Sequence, residues 1–209
     1  MKWAVVSDFD GTLTLADVGD AILLEFGVFT AADIERSYAP GQSVEKWMRR
    51  GFSRLAASRP EIESFILRSM KPRAGLSAFS AFCAGRRIPF DIVSGGADIY
   101  ARPLLKKWGV KAKTSFGRAR RSGAGWDIEY ADLDGGALPA FKAGRVKDYR
   151  DRGFRVLFCG DAPSDLRAAG LADKVYAAGR LKALCRAGGI KFSPLSDLRD
   201  AAAFIRKNP

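Results

Sequence analysis

The order of hydrophobic and polar positions predicts a chain in which buried strands alternate with amphipathic helices. Residues 3–6 are apolar without alternation, which is typical of a strand covered on both faces of a parallel sheet. Further segments that are expected to form strands follow at 88–93, 110–116, 155–159 and 175–177. Helical periodicity separates most of these segments. The pattern therefore predicts an α/β protein built on a parallel sheet.

A longer helical region interrupts this alternation directly after the first strand. Asp17 or Asp20 is expected to cap a helix at 21–26, and a second helix is expected at 31–38. Ser43 begins an amphipathic helix that runs through 55, and Pro60 occupies the favoured first turn of a fourth. We predict a three-layer, Rossmann-like sheet core with an inserted helical cap, although a helical subdomain that only adds core would give the same periodicity.

The alternation returns at residue 76. Helices are predicted at 76–84, from Ser94-Gly95-Gly96 to 108, at 181–187, and from Asp197 through 205. Residues 117–134 contain glycines and an alternating segment, which predicts a hairpin. Lys142 is expected at the start of the helix that follows this hairpin.

The first strand ends in two acidic residues, Asp8 and Asp10, which flank Phe9 and precede Gly11. Carboxyl ends of parallel strands are where open α/β sheets bind ligands, and two carboxylates this close favour a cation. Mg²⁺ is suited to such a site because it takes one or two carboxylates together with phosphate oxygens. An ordinary Asp-Gly turn at a strand end is the alternative interpretation.

Further polar groups follow the later strands. Ser94-Gly95-Gly96 comes after the second strand, where glycines let backbone N–H groups point at an anion. Asp161 and Asp165 come after the strand at 155–159, and Lys142 precedes that strand. Most lysines are solvated surface residues, and a small turn before a helix would resemble the serine and glycine motif. Only the order of the motifs favours the functional interpretation.

In these four motifs and their order, the chain resembles the haloacid dehalogenase superfamily of aspartyl-phosphate phosphohydrolases. The resemblance implies that Asp8 is the nucleophile and that Asp10 is the general acid and base. It further implies a Mg²⁺ cofactor held by the carboxylates of Asp8 and Asp161 and by the carbonyl oxygen of Asp10. The founding dehalogenases lack the second aspartate, so the presence of Asp10 favours a phosphatase.

The same resemblance assigns the remaining site residues. Ser94, Gly95 and Lys142 would hold the phosphoryl oxygens, with Lys147 as a rival lysine deeper in the helix. Asp165 would lie behind the first set of ligands and orient Lys142 or a metal-bound water. The implied division is a core domain at 1–15 and 72–209 with a cap domain at 16–71, the cap covering the active site and selecting the substrate.

Within the superfamily, the motifs look like the phosphoserine phosphatase branch. The stretch from Pro89 to Gly96 and the late Leu184-Cys185-Arg186 look closer to its methionine-salvage relatives, the 2-hydroxy-3-keto-5-methylthiopentenyl-1-phosphate phosphatases. Asp17 stands where phosphoserine phosphatases have a substrate-binding glutamate, and Arg49 or Arg50 could meet a substrate carboxylate. We expect a small phosphorylated metabolite as substrate, with phosphoserine as the alternative.

Composition narrows the function classes. The chain has 209 residues and no histidine, so mechanisms that need imidazole are excluded and acid and base work falls to carboxylates. No apolar run is long enough to span a bilayer, and no signal-peptide pattern is evident, so we expect a cytoplasmic protein without a membrane partner. We expect a monomer or homodimer.

The formal net charge of +12 leaves another class open. It could draw in anionic substrates, reflect the composition of the source, or mark a catalytically silent nucleic-acid-binding module. The basic residues are spread along the chain and are not interleaved with aromatic residues, so a nucleic-acid partner is not favoured. A phosphotransferase or an enzyme that dephosphorylates nucleic-acid ends is a third possibility.

Overall fold

The computed structural model of the chain describes residues 2–39, 41–133 and 137–209, without the side chain of Asp132. Its strands are β1 (Lys2–Ser7), β2 (Phe90–Ala97), β3 (Lys113–Ser122), β4 (Gly125–Glu129), β5 (Phe154–Gly160), β6 (Lys174–Ala177) and β7 (Ser193–Pro194). Its helices are α1 (Val18–Glu25), α2 (Ala31–Ser37), α3 (Val44–Phe52), α4 (Arg59–Ser69), α5 (Leu76–Gly85), α6 (Asp98–Lys107), α7 (Leu138–Asp151), α8 (Leu166–Leu171), α9 (Leu181–Ala187) and α10 (Leu198–Lys207).

The strands of the described residues form one sheet in the order β4-β3-β2-β1-β5-β6-β7. Every neighbouring pair is parallel except β3 and β4, which form an antiparallel hairpin at one edge. The predicted α/β class is therefore confirmed. β1 lies in the middle, with connections leaving towards β2 on one side and β5 on the other.

Side chains that alternate along β1 build two separate cores. Trp3 and Val5 belong to the larger cluster, which also contains buried residues of α5, α6 and α10. Ala4 and Val6 belong to the second cluster, with buried residues of α7, α8 and α9. Because both faces of the strand are covered, its residues are apolar without interruption. The result is the predicted three-layer arrangement.

Helices α1 to α4 lie in the chain between β1 and α5. Asp17 is the N-cap of α1 and accepts a hydrogen bond of 2.8 Å from the backbone N–H of Asp20, so the first of the two predicted caps is the correct one. α3 docks along the edge hairpin, where Arg49 Nε donates to the carbonyl of Ile128 at 3.0 Å. α3 is therefore fastened to the sheet at its edge strand.

Two local predictions are corrected. Ser94-Gly95-Gly96 lies inside β2 and does not open a helix, because β2 resumes pairing with β3 at Ala97 after an irregularity and α6 begins only at Asp98. α7 begins at Leu138, so Lys142 lies one turn inside this helix and not at its start. Asp134, at the end of the predicted hairpin, lies outside the described residues. No helix of the described chain has both the length and the apolar character of a membrane span.

Candidate active site

The carboxyl ends of β1 and β5 bring two of the predicted acids together. Ser7 of β1 pairs with Cys159 of β5, and the backbone N–H of Asp8 donates to the carbonyl of Cys159 at 2.9 Å. Asp8 therefore directly follows the last residue of β1, and Asp161 directly follows the last residue of β5. This is the point at which the connections of the sheet leave in opposite directions, a usual place for ligand binding in open α/β sheets.

A buried lysine links two of the carboxylates. Lys142 Nζ lies 2.8 Å from Asp8 Oδ2 and 2.7 Å from Asp165 Oδ1, and its side chain is fully buried. Burial alone would lower the pKa of Lys142, but the charges of Asp165 and Asp8 outweigh this effect and raise it. Lys142 is therefore a permanent cation at the floor of the site, as the motif order predicts, and Lys147 instead pairs with Asp151 on the surface.

Asp165 is held on both of its oxygens. Oδ1 accepts a hydrogen bond from Lys142 Nζ. Oδ2 accepts hydrogen bonds from the backbone N–H groups of Asp161 and Ala162 at 2.9 and 3.0 Å. Such a carboxylate is fixed in position by its donors and has no exposed surface. Its geometry suits the positioning of Lys142 and of the loop that carries Asp161.

Asp161 lies against the loop that follows β1. Its Oδ1 accepts a hydrogen bond of 2.8 Å from the hydroxyl of Thr12. A Cβ atom on Gly11 would lie 2.3 Å from Asp161 Oδ2, and Gly11 has a φ of +67°, so only glycine fits there without strain. The glycine after the first motif thus makes room for the acid of the last motif.

Asp10, on the side of the site that faces α1 and β2, accepts hydrogen bonds on both of its carboxylate oxygens. Its Oδ1 accepts from the backbone N–H of Val18 at 3.0 Å, at the start of α1. Its Oδ2 accepts from the hydroxyl of Tyr100 at 3.0 Å, and Ser94 Oγ lies 3.4 Å away. Asp10 is therefore held between the first helix of the insert and the second strand motif.

Burial and the charges of neighbouring acids raise the pKa of Asp8, Asp10 and Asp161. Burial raises the pKa of Asp8 from 3.8 to about 6, against the opposing charge of Lys142. Burial, followed by the charge of Asp8, raises the pKa of Asp10 to about 7. Burial and then the charges of Asp8 and Asp165 raise the pKa of Asp161 well above its ordinary value. The site holds more negative charge than Lys142 can balance, so it favours a cation.

The donor set fits a hard divalent cation such as Mg²⁺. One carboxylate oxygen from each of Asp8, Asp161 and Asp165 lies within 4.8 Å of the others. Oxygen ligands of this kind are those that Mg²⁺ prefers. Asp165 already accepts three hydrogen bonds, whereas Asp8 accepts two and the Asp161 carboxylate accepts one, so Asp8 and Asp161 have more capacity left for a metal ion.

The serine and glycine motif of β2 faces the same site. Ser94 is buried and its Oγ accepts a hydrogen bond of 3.0 Å from the backbone N–H of Gly96. The carbonyl of Gly95 accepts a hydrogen bond of 2.6 Å from the hydroxyl of Tyr130, which anchors the motif to the edge hairpin. Ser94 and Gly95 both line the cavity described next, so the structure brings them together with Asp8, Asp10 and Lys142.

A cavity of about 760 Å³ opens above these residues, between the carboxyl ends of the strands and the helices of the insert. Its floor carries the acids, Lys142 and the β2 motif. Its roof is largely apolar or aromatic, and comes mainly from the end of α2, from α3 and from the first turns of α7 and α9; it includes Tyr38, Val44, Trp47, Met48, Leu138 and Leu184. The volume is that of a small-molecule site.

The roof differs from the prediction made for Arg49 and Arg50. Both side chains are exposed and neither contributes to the lining of the cavity among the described residues. Arg49 stacks over Tyr130 at 5.5 Å and Arg50 over Phe29 at 5.6 Å. The contacts of these side chains explain this, because Arg49 is turned towards the edge hairpin, where it also donates to the carbonyl of Ile128, and Arg50 lies over Phe29. Asp17 does line the cavity, while also capping α1.

Sequence reasoning missed charged residues of the lining, among them Asp20, Glu45 and Arg180. Asp20 is buried and accepts hydrogen bonds from Trp47 Nε1 at 3.0 Å and from the hydroxyl of Tyr38 at 3.2 Å. Arg180, at the start of α9, pairs with Glu35 of α2 at 2.8 Å and stacks over the Tyr38 ring at 4.4 Å. The polar Asp20 beside apolar helix positions was the one visible signal, while Arg180 carried none.

Two curated proteins that are similar to this chain carry the same printed name. The chain is 27% identical over 212 residues to a 2-hydroxy-3-keto-5-methylthiopentenyl-1-phosphate phosphatase of Bacillus velezensis, covering 96% of this chain and 88% of that protein. It is 26% identical over 215 residues to a protein of the same name from Exiguobacterium sp., covering 99% and 98% of the two chains.

Solved structures of similar fold include phosphoserine phosphatases. A substrate-bound phosphoserine phosphatase complex matches with a TM-score of 0.76 and 21% identity, over 98% of both chains. A phospho-aspartyl intermediate analogue of phosphoserine phosphatase matches with a TM-score of 0.73 and 22% identity, over 97% of this chain and 98% of that one. The fold and its topology are thus shared over nearly the whole length.

The family model described as haloacid dehalogenase-like hydrolase matches residues 5–170, from inside β1 to α8, and so includes all four motifs. The chain is therefore an enzyme of the haloacid dehalogenase-like hydrolase family.

Proposed function

We propose that this enzyme is a Mg²⁺-dependent phosphomonoesterase that hydrolyses a small phosphorylated metabolite through an aspartyl phosphate on Asp8. The observation that carries the proposal is the environment of Asp8, which ends the central strand 2.8 Å from a buried lysine and shares the cavity with Asp10. The names of the curated relatives support the phosphatase class.

The nucleophile is oriented by two donors. The backbone N–H of Phe9 donates to Asp8 Oδ1 at 2.7 Å, and Lys142 lies 2.8 Å from Oδ2. These contacts limit rotation of the carboxylate and so fix its direction of attack on phosphorus. Attack forms the bond between an Asp8 oxygen and phosphorus while the bond from phosphorus to the leaving oxygen breaks.

Asp10 moves the protons of both steps. In the first step its protonated carboxyl gives a proton to the leaving oxygen, and in the second its carboxylate takes a proton from the water that attacks phosphorus. A pKa of about 7 suits a group that must be both acid and base near neutral pH. The second step releases inorganic phosphate and restores Asp8.

The negative charge of the phosphoryl group must be neutralised by groups on the floor of the cavity as the group is transferred. Ser94, the backbone N–H of Gly95 and Lys142 would donate to its oxygens. Asp165 keeps Lys142 in place, and Asp8, Asp161 and the carbonyl of Asp10 would hold Mg²⁺. When bound, this ion supplies positive charge to the phosphoryl oxygens and to the nucleophilic carboxylate.

We propose that residues 1–15 and 72–209 form the catalytic core domain and that 16–71 form a cap domain that selects the substrate. The acids that would carry the chemistry come from the core, whereas most of the apolar roof comes from the insert and its neighbours. This division assigns reaction to one part of the chain and selection to the other.

For the substrate, we propose a carbon-chain phosphate of the methionine-salvage type. An apolar and aromatic roof suits an uncharged chain better than an amino acid that carries an ammonium and a carboxylate. Arg180, the arginine found in the lining among the described residues, already pairs with Glu35. The exposure of Arg49 and Arg50 removes the other predicted partners of a substrate carboxylate.

Phosphoserine is the second candidate, because Asp17 lines the cavity where an acid could meet the ammonium. The test compares kcat/KM for a hydroxylated carbon-chain phosphate and for phosphoserine, in the parent and in Asp17→Asn. We expect the carbon-chain ester to be faster in the parent. A preference for phosphoserine of more than about tenfold that is lost in Asp17→Asn, about 1.4 kcal/mol of transition-state binding, would replace the salvage-type proposal.

The basic charge is compatible with an enzyme that attracts anionic esters. We propose that it serves this purpose and that nucleic acid is not the partner. Salt-dependent retention on DNA or RNA by a protein that hydrolyses none of the esters would instead support the binding module.

A further inference from the structure

A tyrosine that no motif includes touches the proposed acid and base. Tyr100 belongs to α6, its side chain is fully buried, and its hydroxyl donates to Asp10 Oδ2 at 3.0 Å. The same residue contributes to the lining of the cavity. Tyr100 therefore packs in the hydrophobic core with its ring and contacts the candidate active site with its hydroxyl.

The residues around the Tyr100 hydroxyl are packed closely against it. A Cβ atom on Gly96 would lie 2.3 Å from both Asp10 Oδ2 and the Tyr100 hydroxyl oxygen. A Cβ atom on Gly19 would lie 3.2 Å from the same hydroxyl. The Tyr100 ring lies against Phe52 at a centroid distance of 6.2 Å. Glycine at position 96 thus admits the hydrogen bond between Tyr100 and Asp10.

The other donors to Asp10 do not replace this contact. The backbone N–H of Val18 is directed at the opposite oxygen, Oδ1. Ser94 Oγ lies 3.4 Å from Oδ2, beyond a good hydrogen-bond distance, and its hydroxyl would turn to the phosphoryl group in the proposed reaction. Tyr100 then remains as the donor that fixes the Oδ2 side of the carboxyl group.

We propose that Tyr100 is a positioning residue for Asp10, holding its carboxyl group in the rotation that delivers a proton to the leaving oxygen and takes one from the attacking water. This inference rests on the proposed function. Tyr100 keeps its own proton throughout, so the proton balance of each step belongs to Asp10, substrate and water.

The leaving group provides the test. p-Nitrophenolate departs without protonation, whereas an alkoxide needs the proton of Asp10; hydrolysis of the aspartyl phosphate needs Asp10 in both cases. Tyr100→Phe removes one oxygen and retains the ring. Tyr176→Phe is the matched control, because that buried tyrosine also loses a hydrogen bond, of 3.1 Å to the carbonyl of Asp200, away from the cavity.

With p-nitrophenyl phosphate, we expect Tyr100→Phe to retain a burst of nitrophenolate at nearly the parent rate while the steady-state rate falls about tenfold or more. With an alkyl phosphate, kcat and kcat/KM should both fall about tenfold, and Tyr176→Phe should remain within twofold of the parent for both esters. In an Asp10→Asn background, Tyr100→Phe should cause no further loss, since it acts through Asp10.

Several results would overturn the inference. One is a Tyr100→Phe enzyme within twofold of the parent on both esters, and another is a burst slowed as much as alkyl ester cleavage. A further loss in the Asp10→Asn background would show that Tyr100 acts on something other than Asp10. A parent protein that hydrolyses neither ester would overturn the proposed function as well, so the two failures can be told apart.

Discussion

The floor and the roof of the cavity are built on different principles. The floor is a dense set of charges in which Lys142 joins Asp8 and Asp165, and Asp165 also accepts hydrogen bonds from the backbone N–H groups of Asp161 and Ala162. The roof is largely apolar and aromatic, and its buried carboxylate Asp20 orients two rings. A fixed floor suits one reaction, whereas a roof of side chains from several helices can change with the substrate.

The largest effect is expected when Asp8, the proposed nucleophile of the floor, is removed. Asp8→Asn should lower turnover by at least about a thousandfold, since an amide cannot form the aspartyl phosphate. Steady-state assays check this, and thermal unfolding should show an intact fold, because Lys142 keeps Asp165 as a partner. Activity within tenfold of the parent would remove Asp8 from this role.

Metal dependence is the next largest effect. EDTA should stop turnover, and Mg²⁺ should raise the melting temperature, because the acids of the floor repel one another without a cation. The shift should also depend on pH. Asp8 and Asp10 have pKa values of about 6 and 7 against an ordinary value of 3.8, so the metal-free folded protein binds protons more tightly than the unfolded chain.

The direction of the pH effect follows from this difference. The contribution of these acids to the free energy of unfolding falls as the pH rises from about 4 through about 7. Mg²⁺ replaces the lost protons, so its stabilisation should be larger at pH 8 than at pH 5.5. Melting curves with Mg²⁺ and with EDTA at both pH values measure this; an equal shift at both, or undiminished hydrolysis in EDTA, would contradict the site.

A smaller and more selective effect is expected from the roof. Asp20→Asn leaves the amide one acceptor oxygen for two donors, so Trp47 or Tyr38 loses its orientation. We expect KM for a carbon-chain phosphate to rise about tenfold, within the range for a hydrogen bond to a charged group, with kcat changed less. Glu25→Gln, an exposed change at the end of the same helix, is the control. A fall in kcat alone would assign Asp20 to the reaction.

The smallest effect is expected for Arg50, which was predicted to meet a substrate carboxylate but does not line the cavity. Arg50→Gln should leave kcat and KM within twofold for both candidate substrates, because Arg50 is exposed on the far side of α3, over Phe29. Arg180→Gln, the comparable change in the lining, should raise KM by about threefold through loss of a surface ion pair and of the contact with Tyr38. A tenfold rise in KM for phosphoserine in Arg50→Gln would restore the original prediction.

The floor could be predicted from the sequence because its geometry follows from the sheet. Asp8 and Asp161 directly follow apolar strands, and parallel pairing brings such strand ends to one edge. The α/β class and the three layers follow from the same apolar runs. The extent of β2 was not predictable locally, since glycines after an apolar run resemble a helix start and only pairing at Ala97 continues the strand.

The roof could be predicted only in part, because it depends on how helices turn and dock. Val44, Trp47 and Met48 line the cavity at helical spacing, whereas Arg50 is exposed over Phe29 and outside the lining, a difference that depends on how α3 is docked. A buried tyrosine such as Tyr100 resembles a core residue in sequence, and its contact with Asp10 depends on the tertiary structure. Arg180 reaches the roof from the far end of the chain, beyond any local pattern.

The most direct test of the central claim is the identification of the covalent intermediate. Asp10→Asn should form the aspartyl phosphate from p-nitrophenyl phosphate and hydrolyse it slowly, so acid quenching followed by peptide mass spectrometry should find one phosphoryl group, on Asp8. The double variant Asp8→Asn, Asp10→Asn should show none. Phosphorylation of another residue, or rapid turnover by the parent without any phosphorylated enzyme at the shortest quench times, would contradict the account.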